Sequence, residues 1–262
     1  MKLYTTNRIN ALGLKGPEQI PEAIKQFLKI PTTHIQVDNG NIQESEQILY
    51  NKAKQIFTNS GDKVSLPLPT SEASHQRSVP PAKRPENLKI FIGGDHSITY
   101  PLFKAFQKQH ENPFLIIFDA HADCMSPQQE PTHEEFLRAI IEQGFPSNKI
   151  ILIGVRKIEP EEQEFLDAHK IKIIQDPKQI LSLTKDKDLY ISIDIDALDP
   201  KSAPAVNYPE PNGLIEKEFF HIFEQLLRQN PKAIDIVEAV PQKDQDNKTL
   251  KLIIKIIKET TL

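Results

Sequence analysis

The 262-residue sequence predicts an α/β fold built on a mainly parallel sheet. Short continuous apolar runs recur along the chain, and each run ends in a polar or glycine-rich turn. Helical patterns lie between the runs. Continuous apolar runs of this length are typical of strands that are buried on both faces. Because strands and helices alternate, the crossovers are expected to be right-handed and the neighbouring strands parallel.

Six apolar runs are predicted to be strands, and the fourth of them is the weakest. They cover residues 89–92, 114–118, 150–153, 171–174, 189–193 and 233–237. Five helical patterns follow or separate these runs, at 101–110, 132–143, 160–170, 216–228 and 249–259. The second helix carries the clearest boundaries, since Thr132 and Glu135 have the spacing of a capping box and Gly144 supplies a stop.

A proline-rich segment at about 66–86 interrupts this order. Its prolines are Pro67, Pro69, Pro80, Pro81 and Pro85, with serines and threonines between them. Such a composition predicts an extended or partly disordered surface loop. A domain linker would have a similar composition, but the piece before it is too small and polar for a core of its own. We therefore predict a single domain over 1–262 with a long surface loop.

The composition limits the classes of partner and of compartment. With 36 acidic and 32 basic residues the net charge is −4, which gives no reason to expect nucleic-acid binding. A single cysteine excludes a disulfide framework and a cysteine-based zinc cluster, and it suits a reducing compartment. The first residues do not resemble a signal peptide, and no apolar run approaches the roughly 20 residues of a membrane span. We expect a cytoplasmic protein without a membrane partner.

Acidic residues and histidines collect in three turns that follow predicted strands. The turns are 93–97 (Gly-Gly-Asp-His-Ser), 119–123 (Asp-Ala-His-Ala-Asp) and 192–200, which contains Asp194 and Asp196. Ligand sites of open parallel sheets form at the carboxyl ends of the strands, so these side chains are expected to converge. Alternating residues of an extended turn point to one side. That pattern would bring Asp119, His121 and Asp123 together.

Four converging carboxylates would repel one another and raise each other's pKa unless a cation joined them. Two divalent cations would balance a charge of −4. Carboxylate ligands with some imidazole favour Mn²⁺ over zinc and magnesium. Each motif alone is also typical of a solvated loop or a helix cap, but the motifs together at strand ends favour a metal site. Asp95, Asp199 and Cys124 are expected to lie outside the ligand set.

The three turns resemble the metal motifs of the ureohydrolase superfamily, which contains arginases and agmatinases. The motifs occur in the family's order and nearly in full, and the resemblance extends from about Ile90 to the carboxyl terminus. It implies a three-layer α/β/α fold around a binuclear manganese centre, with two Mn²⁺ per chain. It also allows a homo-oligomer. The implied ligands are His96 and Asp123 for one ion, His121 and Asp196 for the other, and Asp119 and Asp194 as bridges.

The resemblance also implies the catalytic residues of a hydrolase that releases urea and an amine from a small guanidino substrate. Asp123 would hold the attacking water by a hydrogen bond. His133 matches a histidine that acts in proton transfer, and imidazole titrates nearest to neutral pH. Glu238 matches a glutamate that binds the guanidinium group, for which charge-assisted hydrogen bonds are suited.

The sequence predicts the substrate's tail, the part beyond the guanidino group, less clearly than it predicts the metal ligands. The loop 124–132 is shorter than the loop with which arginases hold the amino-acid end of arginine, and residues 205–207 replace a glycine-containing stretch common in the family. Lys157 stands where an acidic residue is expected, whereas Glu159 keeps one. Glu159 and Glu130 offer partners for a second positive charge, which slightly favours an agmatine-like tail over a zwitterionic amino acid.

Three alternatives share parts of this pattern. A formimino- or other amidino-hydrolase would use the same metal centre, and a catalytically inactive relative would keep its ligands. A deacetylase of the related fold would use one zinc ion and a paired His-His, which the sequence lacks.

Overall fold

The computed structural model describes residues 1–10, 15–28, 31–59, 85, 87–127, 130–174 and 176–260. The strands within these residues are β1 (Lys2–Thr6), β2 (Thr32–Ile35), β3 (Lys89–Ile92), β4 (Pro113–Phe118), β5 (Ile150–Ile153), β6 (Lys172–Ile173), β7 (Asp188–Asp194) and β8 (Ala233–Val237). The helices are α1 (Ile20–Phe27), α2 (Ile42–Thr58), α3 (Thr99–Gln107), α4 (Phe136–Glu142), α5 (Pro160–His169), α6 (Pro177–Thr184), α7 (Glu216–Leu227) and α8 (Lys248–Glu259).

These strands form one eight-stranded sheet in the order β2-β1-β3-β8-β7-β4-β5-β6. Every pairing in it is parallel. The predicted α/β class with a parallel sheet is therefore confirmed. The register of β4 and β7 pairs Phe114 with Leu189 and Phe118 with Ile193, so both strands end at the same edge.

Two hydrophobic cores cover the two faces of the sheet, which confirms the three-layer arrangement. Alternate residues of β4 enter different cores, with Ile116 and Phe118 on one face and Leu115 and Ile117 on the other. Residues of α1, α6, α7 and α8 complete the first core, and residues of α2, α3, α4 and α5 complete the second. A strand that is buried on both faces needs apolar side chains at every position, which is why these runs do not alternate with polar residues.

The N-terminal elements and α6 were not predicted. β1 pairs with β3 and β2 pairs with β1, so the polar N-terminal piece extends the same sheet rather than building a core of its own. α2 buries a stripe of Leu49, Ala53 and Phe57 at helical spacing.

Three predicted elements have wrong boundaries. The helix predicted at 101–110 is α3, which runs from Thr99 to Gln107. The helix predicted from Thr132 begins at Phe136, because the capping-type hydrogen bond from Thr132 N–H to Glu135 Oε2 (2.9 Å) closes a turn before the helix. The fourth strand is shorter than predicted and contains Lys172 and Ile173 alone. Except for Pro85, the predicted proline-rich loop lies outside the described residues. Among the described helices, none is long and apolar enough to cross a membrane.

Candidate metal centre and substrate cavity

Four adjacent strands bring the predicted site residues to one edge of the sheet. β3, β8, β7 and β4 are neighbours in that order and run parallel. His96 follows β3, Glu238 follows β8, Asp196 follows β7 and Asp119 follows β4. The carboxyl ends of parallel strands are where ligand sites form in open α/β sheets.

The turn after β3 requires two glycines because the N-terminal segment packs directly on it. Gly93 and Gly94 have φ values of 106° and 80°. A Cβ on Gly94 would lie 2.1 Å from the carbonyl oxygen of Arg8, so any other residue would displace that segment. The buried Arg8 side chain then donates from Nη1 to Ser97 O (2.8 Å) and Ser97 Oγ (2.7 Å), next to His96.

The carboxylates are held in place by backbone N–H groups. Asp119 Oδ1 accepts from His121 N (2.7 Å), Asp194 Oδ1 accepts from Asp196 N (2.8 Å), and Asp196 Oδ1 accepts from Ala120 N (3.0 Å). In each carboxylate the other oxygen faces the histidines, which leaves it available to a cation. The turn 119–123 is not extended throughout, because Asp123 has a left-handed φ of 49°.

The ligating atoms form two groups that share Asp119. His96, Asp119 and Asp194 make one group and Asp119, His121 and Asp196 the other, and within each group the atoms lie within 4.8 Å of one another. Such spacings suit ligands around a common ion with bonds of about 2.1 Å.

The individual distances place all six predicted ligands in this cluster. His96 Nδ1 lies 2.9 Å from Asp119 Oδ2, 3.0 Å from Asp123 Oδ2 and 3.4 Å from Asp194 Oδ2. His121 Nδ1 lies 3.0 Å from Asp196 Oδ2 and 3.5 Å from Asp119 Oδ1. Asp119 is thus placed to touch two ions, whereas Asp194 belongs to the first group alone. Cys124 is buried outside both groups.

The donor set fits divalent cations. His96 Nδ1 and Asp119 Oδ2 are buried and have no aligned hydrogen-bond partner, although they lie 2.9 Å apart. Burial and the neighbouring carboxylates raise the pKa of Asp123 and of Asp194 well above the ordinary value. Burial opposes a charge on His121, but Asp119 and Asp196 raise its pKa to about 12. A site that takes up protons in this way has excess negative charge, which two cations would neutralise.

A hydrogen-bonded chain behind His96 fixes which of its ring nitrogens carries a proton. The Ser192 hydroxyl donates to Asp235 Oδ1 (2.6 Å) and lies 2.9 Å from His96 Nε2. Since the single hydroxyl proton goes to Asp235, Ser192 accepts from the Nε2–H of His96. Nδ1, which faces the three carboxylates, is then the nitrogen free to ligate a metal.

Asp235 itself is fully buried and accepts two further hydroxyl donors. Thr99 Oγ1 lies 2.9 Å and Tyr190 Oη 2.6 Å from Asp235 Oδ2. Three hydroxyl donors stabilise a carboxylate whose pKa burial raises. Neither Asp235 nor Ser192 was predicted to take part in the site. A lone carboxylate inside an otherwise apolar strand was the signal that could have indicated one.

His133 and Glu238 lie beside the cluster. Both ring nitrogens of His133 are buried without a hydrogen-bond partner, and its Nε2 is 3.8 Å from Glu134 Oε1. Glu238 Oε1 accepts from His96 N (2.8 Å), and burial together with the charge of Asp95 raises the Glu238 pKa well above its ordinary value. A carboxylate and an imidazole therefore face the same space as the metal ligands.

Two connected cavities open from the cluster. The outer cavity, of about 270 Å³, is lined by His121, Asp123, Met125, His133, Glu134, Lys157, Glu159, Glu162, Tyr208 and Glu210. The inner compartment, of about 20 Å³, is lined by His121, Asp123, His133, Asp194, Asp196, Val206, Asn207, Tyr208 and Glu238. Glu238 thus lines the inner compartment, and Glu159 lines the outer cavity.

The two glutamates proposed for a substrate tail differ in position. Glu159 lines the outer cavity and pairs with Lys157 across 2.8 Å, with about half of each side chain exposed. Glu130 does not line either cavity, because its carboxyl group lies beside Glu46 near the buried Arg8. Glu162 was not predicted as a site residue. Its carboxylate accepts hydrogen bonds from Cys124 N (3.1 Å) and Glu159 N (2.9 Å), and these bonds connect two walls of the outer cavity.

Comparison with known proteins decides the family. The sequence profile described as "Arginase family" matches residues 10–262. The chain belongs to the arginase family. This agrees with the resemblance of the three metal motifs and extends it toward the N-terminus as far as residue 10, over α1, β2 and α2.

Relatives within the arginase family have more than one named activity. Agmatinase from Bacillus subtilis is 31% identical over 65% of this chain and 62% of its own length, and arginase 1 from Arabidopsis thaliana is 28% identical over 95% of this chain and 76% of its own length. The chain therefore spans just under two thirds of that agmatinase. The solved structure of formimidoylglutamase from Bacillus subtilis has a TM-score of 0.82 at 20% identity, covering 99% of this chain and 85% of that one.

Proposed function

We propose that this arginase-family protein is a binuclear manganese hydrolase that cleaves a guanidino group of an arginine- or agmatine-like substrate into urea and an amine. The observation that carries the proposal is the pair of ligand groups sharing Asp119, with Glu238 and His133 lining the same compartment. Oxygen-rich ligation with one imidazole in each group supports manganese.

The residues that would hold the two ions are His96, Asp119, His121, Asp123, Asp194 and Asp196. Asp119 would bridge the ions because it belongs to both ligand groups. Ions bound there would supply Lewis acidity and lower the pKa of a water to near 7. The Ser192–Asp235 chain would keep the Nδ1 lone pair of His96 directed toward the first ion.

The remaining residues bind the substrate and move its protons. Glu238 would accept hydrogen bonds from the planar cation, and its burial would strengthen that charge-assisted contact. Asp123 would hold the attacking water by a hydrogen bond. His133 would deliver a proton to the departing amine, because it lines both cavities and its ring nitrogens have no hydrogen-bond partner among the described residues.

The charges of the outer cavity support a substrate with a second cation. Glu134, Glu159 and Glu210 line it, and Lys157 is the single lysine or arginine among its lining residues. Lys157 is already paired with Glu159. A primary ammonium at the far end of the substrate, as in agmatine, would meet net negative charge, whereas a terminal carboxylate would be repelled.

A formimino- or other amidino-hydrolase is the second candidate function. Its head group would occupy the same inner compartment beside Glu238. A formimino head group is smaller than a guanidino group. Both reactions would use the same metal ligands.

A product assay separates these functions. Mn²⁺-loaded protein is incubated with agmatine, arginine, 4-guanidinobutyrate and N-formimidoylglutamate, and urea and formamide are measured. We expect urea from agmatine above all. Formamide without urea would support the second function, and activity on 4-guanidinobutyrate alone would refute the charge argument. Neither product from any substrate would indicate an inactive relative.

A further inference from the structure

The junction of the two cavities is built from four residues. His121, Asp123, His133 and Tyr208 line both the outer cavity and the inner compartment. The first three carry ionisable groups that the proposed function uses. Tyr208 contributes an aromatic ring, which the proposed reaction does not use. A substrate with its head beside Glu238 and its tail in the outer cavity would have to pass this ring.

The backbone before Tyr208 is anchored. Lys243 Nζ donates to Val206 O (3.1 Å) and to Asn207 Oδ1 (2.9 Å), and Val206 forms an isolated bridge with Ala239 after β8. Tyr208 itself is 44% exposed, and its hydroxyl makes no hydrogen bond within the described part of the chain. The ring is therefore placed by a fixed backbone but is not tied at its tip, which leaves its faces available to a ligand.

Three rings border the junction and narrow it. The Tyr208 and His133 planes are 13° from parallel with centroids 6.1 Å apart, and the His121 ring stands at 76° to Tyr208 with centroids 6.3 Å apart. An aromatic face attracts both apolar methylenes and delocalised cations. The His133 ring lies opposite the Tyr208 ring. A branch next to the head group would add bulk where the three rings border the passage.

We propose that Tyr208 is a specificity-determining residue, which contacts the carbon next to the amidino group and admits unbranched linkers in preference to branched ones. This inference rests on the proposed function, because it assumes that the head group binds beside Glu238. The ligand class is a linear alkylguanidine or alkylamidine.

Binding of two isomeric ligands tests the inference without turnover. Calorimetry on Mn²⁺-loaded protein compares n-butylguanidine with sec-butylguanidine, which have the same atoms and charge but differ in branching at the first carbon. We expect the wild type to prefer the linear isomer by about tenfold, the effect of a misplaced methyl group in a closed pocket. Tyr208→Ala should reduce the preference to about threefold or less, and Tyr208→Phe should keep it because the ring remains.

Ile215→Ala is the matched control, since Ile215 is also a large exposed side chain (51%) but lines neither cavity. It should leave the preference unchanged. An unchanged preference in Tyr208→Ala, with both isomers still bound, would overturn the role of Tyr208 alone. Failure of the wild type to bind either guanidine would overturn the guanidino head group, and with it the role of Tyr208.

Discussion

The inner compartment and the outer cavity meet at the same four residues but are built differently. In the inner compartment, Asp194 and Asp196 are almost fully buried, and each fixes a backbone N–H with one carboxylate oxygen. In the outer cavity, Lys157 and Glu159 are about half exposed and pair with each other. In the proposed function, the chemistry depends on the buried cluster and the choice of tail on exposed charges, which contribute less per group.

The largest effect is expected from Asp119→Asn, which keeps the size of the side chain but removes a charge shared by both ligand groups. We expect loss of both ions and a fall in turnover of about 10³-fold or more, since metal-supplied stabilisation amounts to several kcal/mol. Metal analysis of the purified protein measures the first effect. Asp199→Asn is the matched control on the loop after β7, because Asp199 lies outside both groups. Full manganese content in Asp119→Asn would rule out a bridging role.

His133→Asn tests the junction between the two regions. If His133 transfers a proton to the departing amine, turnover should fall by about 10²–10⁴-fold. Metal content should stay at the wild-type level because His133 is not among the ligand groups. The exposed His221→Asn on α7 serves as the control. Wild-type turnover across the pH range would remove His133 from the mechanism.

Asp235→Asn tests the hydrogen-bonded chain from Asp235 through Ser192 to His96. The amide keeps the shape of the carboxylate but can donate to Ser192, so the proton of His96 would no longer be fixed on Nε2. Loss of such a supporting partner costs about 10–100-fold in metal affinity. Titration of the metal-free protein with Mn²⁺ measures it. Tyr190→Phe removes one hydroxyl donor to Asp235 but leaves Ser192 in place, so it should cost less, and equal losses would contradict this chain of hydrogen bonds.

The smallest effect is expected in the outer cavity. Glu159→Gln removes one exposed charge that Lys157 already balances in part, so KM for agmatine should rise by about 2–5-fold with kcat unchanged. Raising the salt concentration should reduce that difference, because exposed charges are screened. A loss in kcat similar to that of His133→Asn would show that the outer wall takes part in the chemistry.

The sequence predicted the cluster better than its surroundings for a physical reason. His96, Asp119 and Asp194 each follow an apolar run, and parallel strands place such turns at one edge whatever the rest of the chain does. Asp235 could not be assigned in this way, because its role depends on hydroxyls of Thr99, Tyr190 and Ser192 that only the folded sheet brings together.

The same reasoning explains the missed elements of the fold. β1 and β2 are short and carry threonines, so neither stands out as a continuous apolar run. β1 is placed by its pairing with β3, and β2 by its pairing with β1. The helix was predicted to begin at Thr132, which is too early. The predicted capping hydrogen bond is present, but it closes a separate turn before the helix. Local sequence patterns therefore predict whether a segment is a helix or a strand, whereas tertiary contacts decide at which residue it begins and ends.

The place of β8 has a consequence for synthesis on the ribosome. This strand is formed by Ala233–Val237, late in the chain, yet it lies between β3 and β7 in the middle of the sheet. A nascent chain that has not yet emerged past residue 237 lacks the strand that joins the turn of His96 to the turns of Asp194 and Asp119. The ligand group that combines His96 with Asp119 and Asp194 therefore forms only after β8 has entered the sheet, which is late in synthesis.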